Sequence, residues 1–210
     1  MDLGDALLTT RAMRRLSNDP PVTAGEIEHC LTAAVQAPSG GNVQPWKFVV
    51  VWSDEQRAAV AEIYRRATER YLRALTTAVP TMKGSRMMEL TQYLADHLHE
   101  VPSVAFVMTP YDQMVDDQGP LDIGTVHASV LPAVQNFMLA ARGMGLGTTL
   151  TTVFRVYHDE MKDLLGVRSH HEIVALVPIG RPLGTFGVAP RRPAEEVTGW
   201  DTVQNRRPFG

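Results

Sequence analysis

The stretch from His127 to Met144 restricts the fold more than any other part of this chain. Val130, Leu131, Ala133, Val134, Phe137 and Met138 follow one another with only Gln135 and Asn136 as polar interruptions on one side, and Gly143-Met144-Gly145 ends the run. A helix that is apolar nearly all round belongs at the centre of a molecule or in a subunit interface. The remaining elements have to be laid around it.

Thr23-Ala24-Gly25-Glu26 has the form of a capping box and opens a helix through Ile27, Cys30, Leu31, Ala34 and Val35. Pro38 stops that helix, because a residue before proline is steered away from helical geometry. Ser53-Asp54-Glu55-Gln56 starts a second helix that reaches about Leu75, Met87 to Leu98 forms a third, and Asp159 to Leu165 forms a short one with Gly166 at C′. Phe48 to Val51, Val104 to Met108 and Glu172 to Ile179 read as buried strands, and Thr148 to Val153, rich in β-branched residues, as another. Residues 2 to 13 carry helix-like apolar spacing, Asn18-Asp19-Pro20-Pro21 breaks it, residues 76 to 86 break the chain again, and 109 to 124 read as a loop. Strands separated by helices around one central helix predict a three-layer α+β or α/β domain.

Bulk properties narrow the function classes. At 210 residues the chain suits one domain, and a formal charge of −3 gives no electrostatic footprint for nucleic acid. No run of about 18 apolar residues is present to cross a membrane. Met1 to Asp5 lacks the basic start of a signal peptide, and the single cysteine, Cys30, cannot form an internal disulfide. A cytoplasmic protein is the expectation. Cys30, on an alanine-rich helix, reads as a small core residue.

Chemistry is best sought in the loop Ala37-Pro38-Ser39-Gly40-Gly41-Asn42-Val43-Gln44-Pro45-Trp46. Two prolines fence it, two glycines free its backbone, and Ser39, Asn42 and Gln44 supply short polar arms. Such a loop can bring main chain against a flat ligand, although the same residues also suit a plain helix-to-strand connection. Arg11 and Arg14 are i, i+3, so at a helix end they project together and can grip one phosphate; the alternative is a solvated basic turn. Arg191-Arg192 lies in the non-periodic tail and can complete the same anion site.

Several catalytic arrangements find no support. Gly143, Gly145 and Gly147 lie after a helix and before a strand, the reverse of a dinucleotide-binding turn, and there is no Gly-Lys-Ser/Thr phosphate loop. His97 and His99 point to different faces of a helix, and the adjacent His170 and His171 diverge at a strand start, where solvent exposure is expected.

Taken together and in order, these pieces resemble the flavin-dependent nitroreductase family. Four blocks carry the match: Arg11-Ala12-Met13-Arg14-Arg15-Leu16; the loop 37–46 with Phe48 to Val51; Ala133 to Gly147 continuing into Thr148 to Thr152; and Pro178-Ile179-Gly180-Arg181-Pro182 followed by Arg191 to Val197. The resemblance implies an α+β, three-layer α/β/α nitroreductase-like fold, with a mixed, mostly antiparallel sheet flanked by helices. It divides the chain into an FMN-binding domain, 1–182, and an extended C-terminal arm, 183–210, that is exchanged between the subunits of a homodimer whose active sites lie at the interface.

Carried over position by position, the resemblance gives Arg11 and Arg14 the FMN phosphate, with Arg191 reaching over from the arm. Ser39 and Gly40 line the isoalloxazine ring and Asn42 hydrogen-bonds to it. Leu150, Thr151 and Thr152 run along its N5 and O4 edge, with Thr152 as the N5 donor, and Gly41 offers a backbone amide to the substrate. Ala12 replaces the family's common serine, which removes one hydroxyl contact of about 0.5–1.5 kcal/mol. Tyr71, Met87, Met88 and Tyr93 form the expected substrate lid, where methionines suit varied flat molecules. Tyr71 also matches the tyrosine with which the iodotyrosine deiodinase branch clamps its substrate, but that clamp's glutamate and lysine have no counterparts, so deiodination is disfavoured.

The implied activity is an FMN oxidoreductase that takes hydride from NAD(P)H and reduces nitroaromatics, quinones or related acceptors by a ping-pong mechanism. The cofactor carries the redox chemistry, so no acid–base triad is needed. Alternatives are a flavin reductase or dehydrogenase with one dedicated metabolic substrate and a non-catalytic FMN-binding or storage protein.

Overall fold

Three antiparallel strands form the centre of the computed structural model, which describes residues 1–110, 115–120, 127–207 and 209. β1 (Leu16–Ser17), β2 (Trp46–Val51), β3 (Ser103–Met108), β6 (Gly147–Thr148) and β7 (Glu172–Pro182) make a sheet of order β1-β7-β3-β2, with β6 also on β7. Every ladder in it is antiparallel. A separate two-stranded ribbon, β4 (Val115–Asp116) and β5 (Gly119–Pro120), occupies part of the segment expected as a loop; residues 111–114 and 121–124 of that segment lie outside the described residues.

The central strands are apolar on both faces because both are covered. Phe48, Val50, Val104, Phe106 and Val177 pack against α2 (Ala24–Ala34) and α5 (His127–Gly143). Val49, Val51, Ala105, Val107 and Ile173 face α3 (Asp54–Ala78), α4 (Arg86–His97) and α6 (His158–Leu164). Side chains alternate between these layers with the strand period of two. A register shift opposite Phe106/Val107 leaves Val174 as an extra residue in β7, so Val174 and Ala175 both face the α5 layer. The result is the three-layer α+β arrangement read from the sequence.

α5 buries a stripe, Val130, Ala133, Val134, Phe137, Met138 and Ala141, while Leu131 is 43% exposed. It is thus central on one side only. The Phe137 and Phe106 rings meet edge to face at 5.5 Å, and Asn136 Nδ2 donates to the Ala33 carbonyl, fixing α2 over α5.

Both helices start where expected: Thr23 accepts from the Glu26 amide while Glu26 reaches back to the Thr23 amide, a full capping box, whereas Ser53 accepts from the Gln56 amide but the Gln56 side chain donates to the Leu164 carbonyl instead of reaching back. Gly166 follows α6 in the left-handed region, φ +64°.

Two expectations change. The strand foreseen over 148–153 is shortened to β6 and an isolated bridge at Thr151, after which Val153–Tyr157 coils into a 3-10 turn. Propensity overestimated it: Thr151 keeps the register of β6 on β7 but pairs alone, and the chain coils directly after Thr152. The first helix, α1 (Leu3–Thr9), ends before the arginines, and residues 11–17 run extended: the Met13 amide donates to the Thr148 carbonyl and Leu16 pairs with Pro182. Arg11 and Arg14 therefore do not share a helical face.

Candidate active site

The extended segment nonetheless gathers its arginines. Burying Met13 and Leu16 turns the intervening side chains outward. Arg11, Ala12, Arg14 and Arg15 then line one cavity of ≈ 310 Å³ with Arg86 and Leu90 of α4 and Leu183, Gly184 and Thr185. Four guanidiniums face this space, and among the described residues no carboxylate lines it. Arg86 and Leu90 are one turn apart on α4, the spacing that aims both at the same place. Close packing holds the segment: a Cβ on Gly147 would come within 2.8 Å of Leu16 Cδ2, and one on Gly180 within 2.8 Å of the Ser17 carbonyl oxygen.

Arg14 also lines a second cavity of ≈ 160 Å³. Its other walls are Tyr64 and Tyr71 of α3, Met87, Thr91 and Leu94 of α4, and the run Thr149 to Val153. Thr149 and Thr151 are buried, whereas Leu150 and Thr152 are exposed. The Thr151 hydroxyl is already committed, 2.9 Å from Tyr64 Oη and accepting from the Val153 amide at 3.4 Å. Burial pushes the Tyr64 phenol up from its usual pKa, against a smaller downward pull from Thr151 and the charge of Arg14, so it stays neutral and can hydrogen-bond.

The loop 37–46 is shaped as its composition suggested. Gly41, Asn42 and Gln44 have φ of 56°, 55° and 52°, left-handed positions, interrupted by right-handed Val43, that glycine adopts freely and asparagine tolerates. Ser39 Oγ accepts from the Gln44 amide, the Gly40 amide donates to Ser129 Oγ of α5, and Gly40 through Gln44 are exposed. Ser39, Gly40, Gly41 and Asn42 line neither cavity of their own chain.

Other expected residues are separated. Tyr71 and Met87 reach the second cavity, but Met88 faces a hollow between α3 and α4 with Leu72, Arg73 and Gln92. Tyr93 stands on the Arg86 face of α4, stacked on His97 at 4.1 Å with the Arg15 guanidinium 5.4 Å from its ring centre. Arg191 is exposed and its Nη1 donates to the Pro190 carbonyl. His171 departs from expectation: it is 4% exposed, beside Lys47 of β2. Cys30 is fully buried, which pushes its thiol up to about 12. Among the described residues no group of three metal-ligating side chains forms.

Sequence reasoning missed Tyr64, Arg86 and Thr91. Tyr64 and Tyr71 are i, i+7 on α3, and Met87, Thr91 and Leu94 are i, i+4, i+7 on α4; both spacings put residues on one helix face and could have identified the cavity walls.

Comparison with known proteins agrees with this architecture. The chain is 26% identical over 178 residues to a putative NADH dehydrogenase/NAD(P)H nitroreductase of Archaeoglobus fulgidus, covering 84% of this chain and 83% of that protein. It is 28% identical over 208 residues to 5,6-dimethylbenzimidazole synthase of Rhodospirillum rubrum, covering 97% and 90%. The solved structure of an oxidized iodotyrosine deiodinase bound to FMN and 3-iodo-L-tyrosine superposes with a TM-score of 0.71 at 20% identity, covering 91% of this chain and 96% of that one. The protein-family model described as Nitroreductase family matches residues 7–181, and the chain belongs to the Nitroreductase family.

Proposed function

We propose that this protein is an FMN-dependent oxidoreductase that accepts reducing equivalents from NAD(P)H and passes them to a nitroaromatic, quinone or similarly electron-poor acceptor in ping-pong fashion. The observation that carries the reading is the pair of cavities joined at Arg14, one cationic and one edged by Thr149 to Val153. The donor set fits the cofactor: four arginines suit a phosphate, and exposed Leu150 and Thr152 flank the tied-down Thr151, a surface against which a flat ring can lie.

FMN, when bound, supplies the hydride chemistry. Arg11 and Arg14 would hold its phosphate, and Thr152 would donate to its ring, with the Tyr64–Thr151 contact keeping that edge in place. Ser39, Gly40, Gly41 and Asn42 lie away from both cavities of their own chain, so they act on the cofactor of a second copy, as does Arg191 from the arm 183–210. This reading makes the protein a homodimer with shared sites. The arm's exposed Val188, Val197, Trp200 and Val203 are the apolar surface that such a partner covers. Tyr71 and Met87 border the acceptor's entry.

The test is the purified protein itself. It is expected to be yellow, and NADH or NADPH is expected to bleach it anaerobically, with colour restored by a quinone. Colourless protein that takes up no added FMN rejects the cofactor, and a bound flavin that neither nucleotide reduces rejects the activity. A second reading, a flavin enzyme with one dedicated metabolic substrate, is favoured by the match to 5,6-dimethylbenzimidazole synthase over nearly the whole chain. Bleaching without turnover of any nitroaromatic or quinone would select it.

A further inference from the structure

One recess away from these cavities collects positive charge with nothing to balance it. Its floor is Val49 and Val107, its rim is Leu165 to Arg168 after α6, and Lys47 and His171 close it. Its ≈ 160 Å³ is below the roughly 300–1,000 Å³ of sites for larger organic ligands. Among the described residues no carboxylate lines it. It lies at the Glu172 end of β7, whereas the arginine cavity lies toward the Pro182 end, roughly 30 Å along an extended strand.

His171 is the telling group. Its Nε2 lies 3.4 Å from Lys47 Nζ. An ammonium only donates, so Nε2 has to accept, and the ring proton of the neutral imidazole sits on Nδ1. That nitrogen is buried and has no hydrogen-bond partner. The charged side chains that bear on the ring are Lys47 on β2, Lys162 on α6 and Arg168 in the turn, with the His170 imidazole beside them. Lys162 is occupied with the Ser169 carbonyl at 2.5 Å. Glu172, the adjacent acid, is engaged elsewhere, 3.5 Å from Arg155 and 3.7 Å from His127.

We propose that this recess is a binding site for a small oxyanion of the phosphate type, held by Lys47, Arg168 and His171. Lys47 supplies a point charge and Arg168 a planar fork, and both are exposed enough to turn inward. An anion there favours the protonated imidazole, so binding takes up a proton from solvent onto His171. Burial, assisted by the cationic neighbours, holds His171 below its usual pKa. Affinity therefore increases as the pH falls toward the range where His171 can charge. The site is independent of the flavin reading, because it shares no residue with either cavity above.

The experiment titrates inorganic phosphate into the whole purified protein at constant ionic strength, with chloride as the reference, while nitrogen NMR follows the His171 ring. Phosphate is expected to shift the ring signals saturably and raise the His171 pKa. The double variant Lys47→Gln/Arg168→Gln should weaken this response at least tenfold, and Arg11→Ala, which alters only the other cationic cavity, should leave it unchanged. Equal responses to phosphate and chloride, or a wild-type response in the double variant, overturn the proposal. Circular dichroism of the double variant confirms that the comparison is made on folded protein.

Discussion

The phenol oxygen of Tyr64 lies 2.9 Å from Thr151 Oγ1, tying α3 to the residue that precedes exposed Thr152. Thr151 is held from a second side, its amide and carbonyl exchanging hydrogen bonds with Leu176 of β7. The edge proposed to meet the flavin is thus fixed by a side chain from one layer and a backbone bridge from the sheet.

Tyr64→Phe removes this bond and leaves a buried threonine hydroxyl short of a partner, a cost of about 1–3 kcal/mol. In a chain of 210 residues, midpoint temperature falls by about 2–4 °C for each kcal/mol. Thermal unfolding of the purified variant reads this directly. An unchanged midpoint would mean that the Tyr64–Thr151 contact is not formed in solution.

The layers were legible because their signals are local. Capping boxes, Pro38 and two-sided apolar strands depend on a few neighbouring residues, and Thr23, Ser53 and Val104 do what such patterns require. The site was legible only in part, because its walls come from five separate segments. Arg11 and Arg14 were paired for a helical reason that does not hold; they converge because Met13 and Leu16 are anchored to β6 and β7, a tertiary fact. His171 and Tyr64 were missed for the same reason, since burial there is imposed by partners more than 80 residues away.

Arg14 borders both cavities and Arg11 only one, so the two should not be equivalent. A charge-assisted contact to phosphate is worth about 1.5–3 kcal/mol, or about ten- to a hundredfold in affinity. Arg11→Ala should weaken FMN binding within that range, and Arg14→Ala should also slow reduction by NAD(P)H. Arg191→Ala tests the exchanged arm: it should weaken FMN binding although Arg191 lines neither cavity of its own chain. Fluorescence titration with FMN, on each variant, checks all three.

Gly180 has no room for a side chain. An alanine Cβ there would meet the Ser17 carbonyl at 2.8 Å and Val101 Cγ1 at 3.0 Å, and a backbone atom cannot swing aside as a side-chain tip can. Gly180→Ala should cost about 1–3 kcal/mol by overpacking and push β1 off β7, loosening the arginine segment that runs into β1. Reduced FMN affinity together with lower stability is expected. Gly187→Ala, with nothing within 4 Å, is the control and should change neither.

Tyr71 and Tyr93 were paired as a lid, and their positions now separate them. Tyr71→Ala should raise KM for a nitroaromatic or quinone acceptor about two- to tenfold, the scale of one aromatic contact of about 0.5–1.5 kcal/mol. FMN retention should not change. Tyr93→Ala removes a ring that packs on Arg15 and His97, so it should affect FMN affinity before acceptor KM. Steady-state kinetics with several acceptors distinguishes these outcomes.

The pH dependence of stability should carry the signature of Glu26. Arg181 donates to both of its carboxylate oxygens, at 2.8 and 3.1 Å, and the Thr23 amide donates to one of them at 2.8 Å. The Arg181 hydrogen bond is the main reason the Glu26 carboxyl is held below its ordinary 4.5, with burial opposing and Thr23 assisting. A depressed carboxyl stabilises the fold fully above the unfolded value and loses that contribution as pH falls through the lower, folded one. Wild-type protein should therefore lose stability below about pH 4.5, where the unfolded chain begins to bind the proton first. Glu26→Gln keeps the shape but not the charge, so it should be less stable than wild type at neutral pH and converge with it under acid conditions. Urea unfolding at pH 7 and pH 3.5 measures the difference. A gap that stays constant between the two would show that Glu26 acts on α2 through its shape alone.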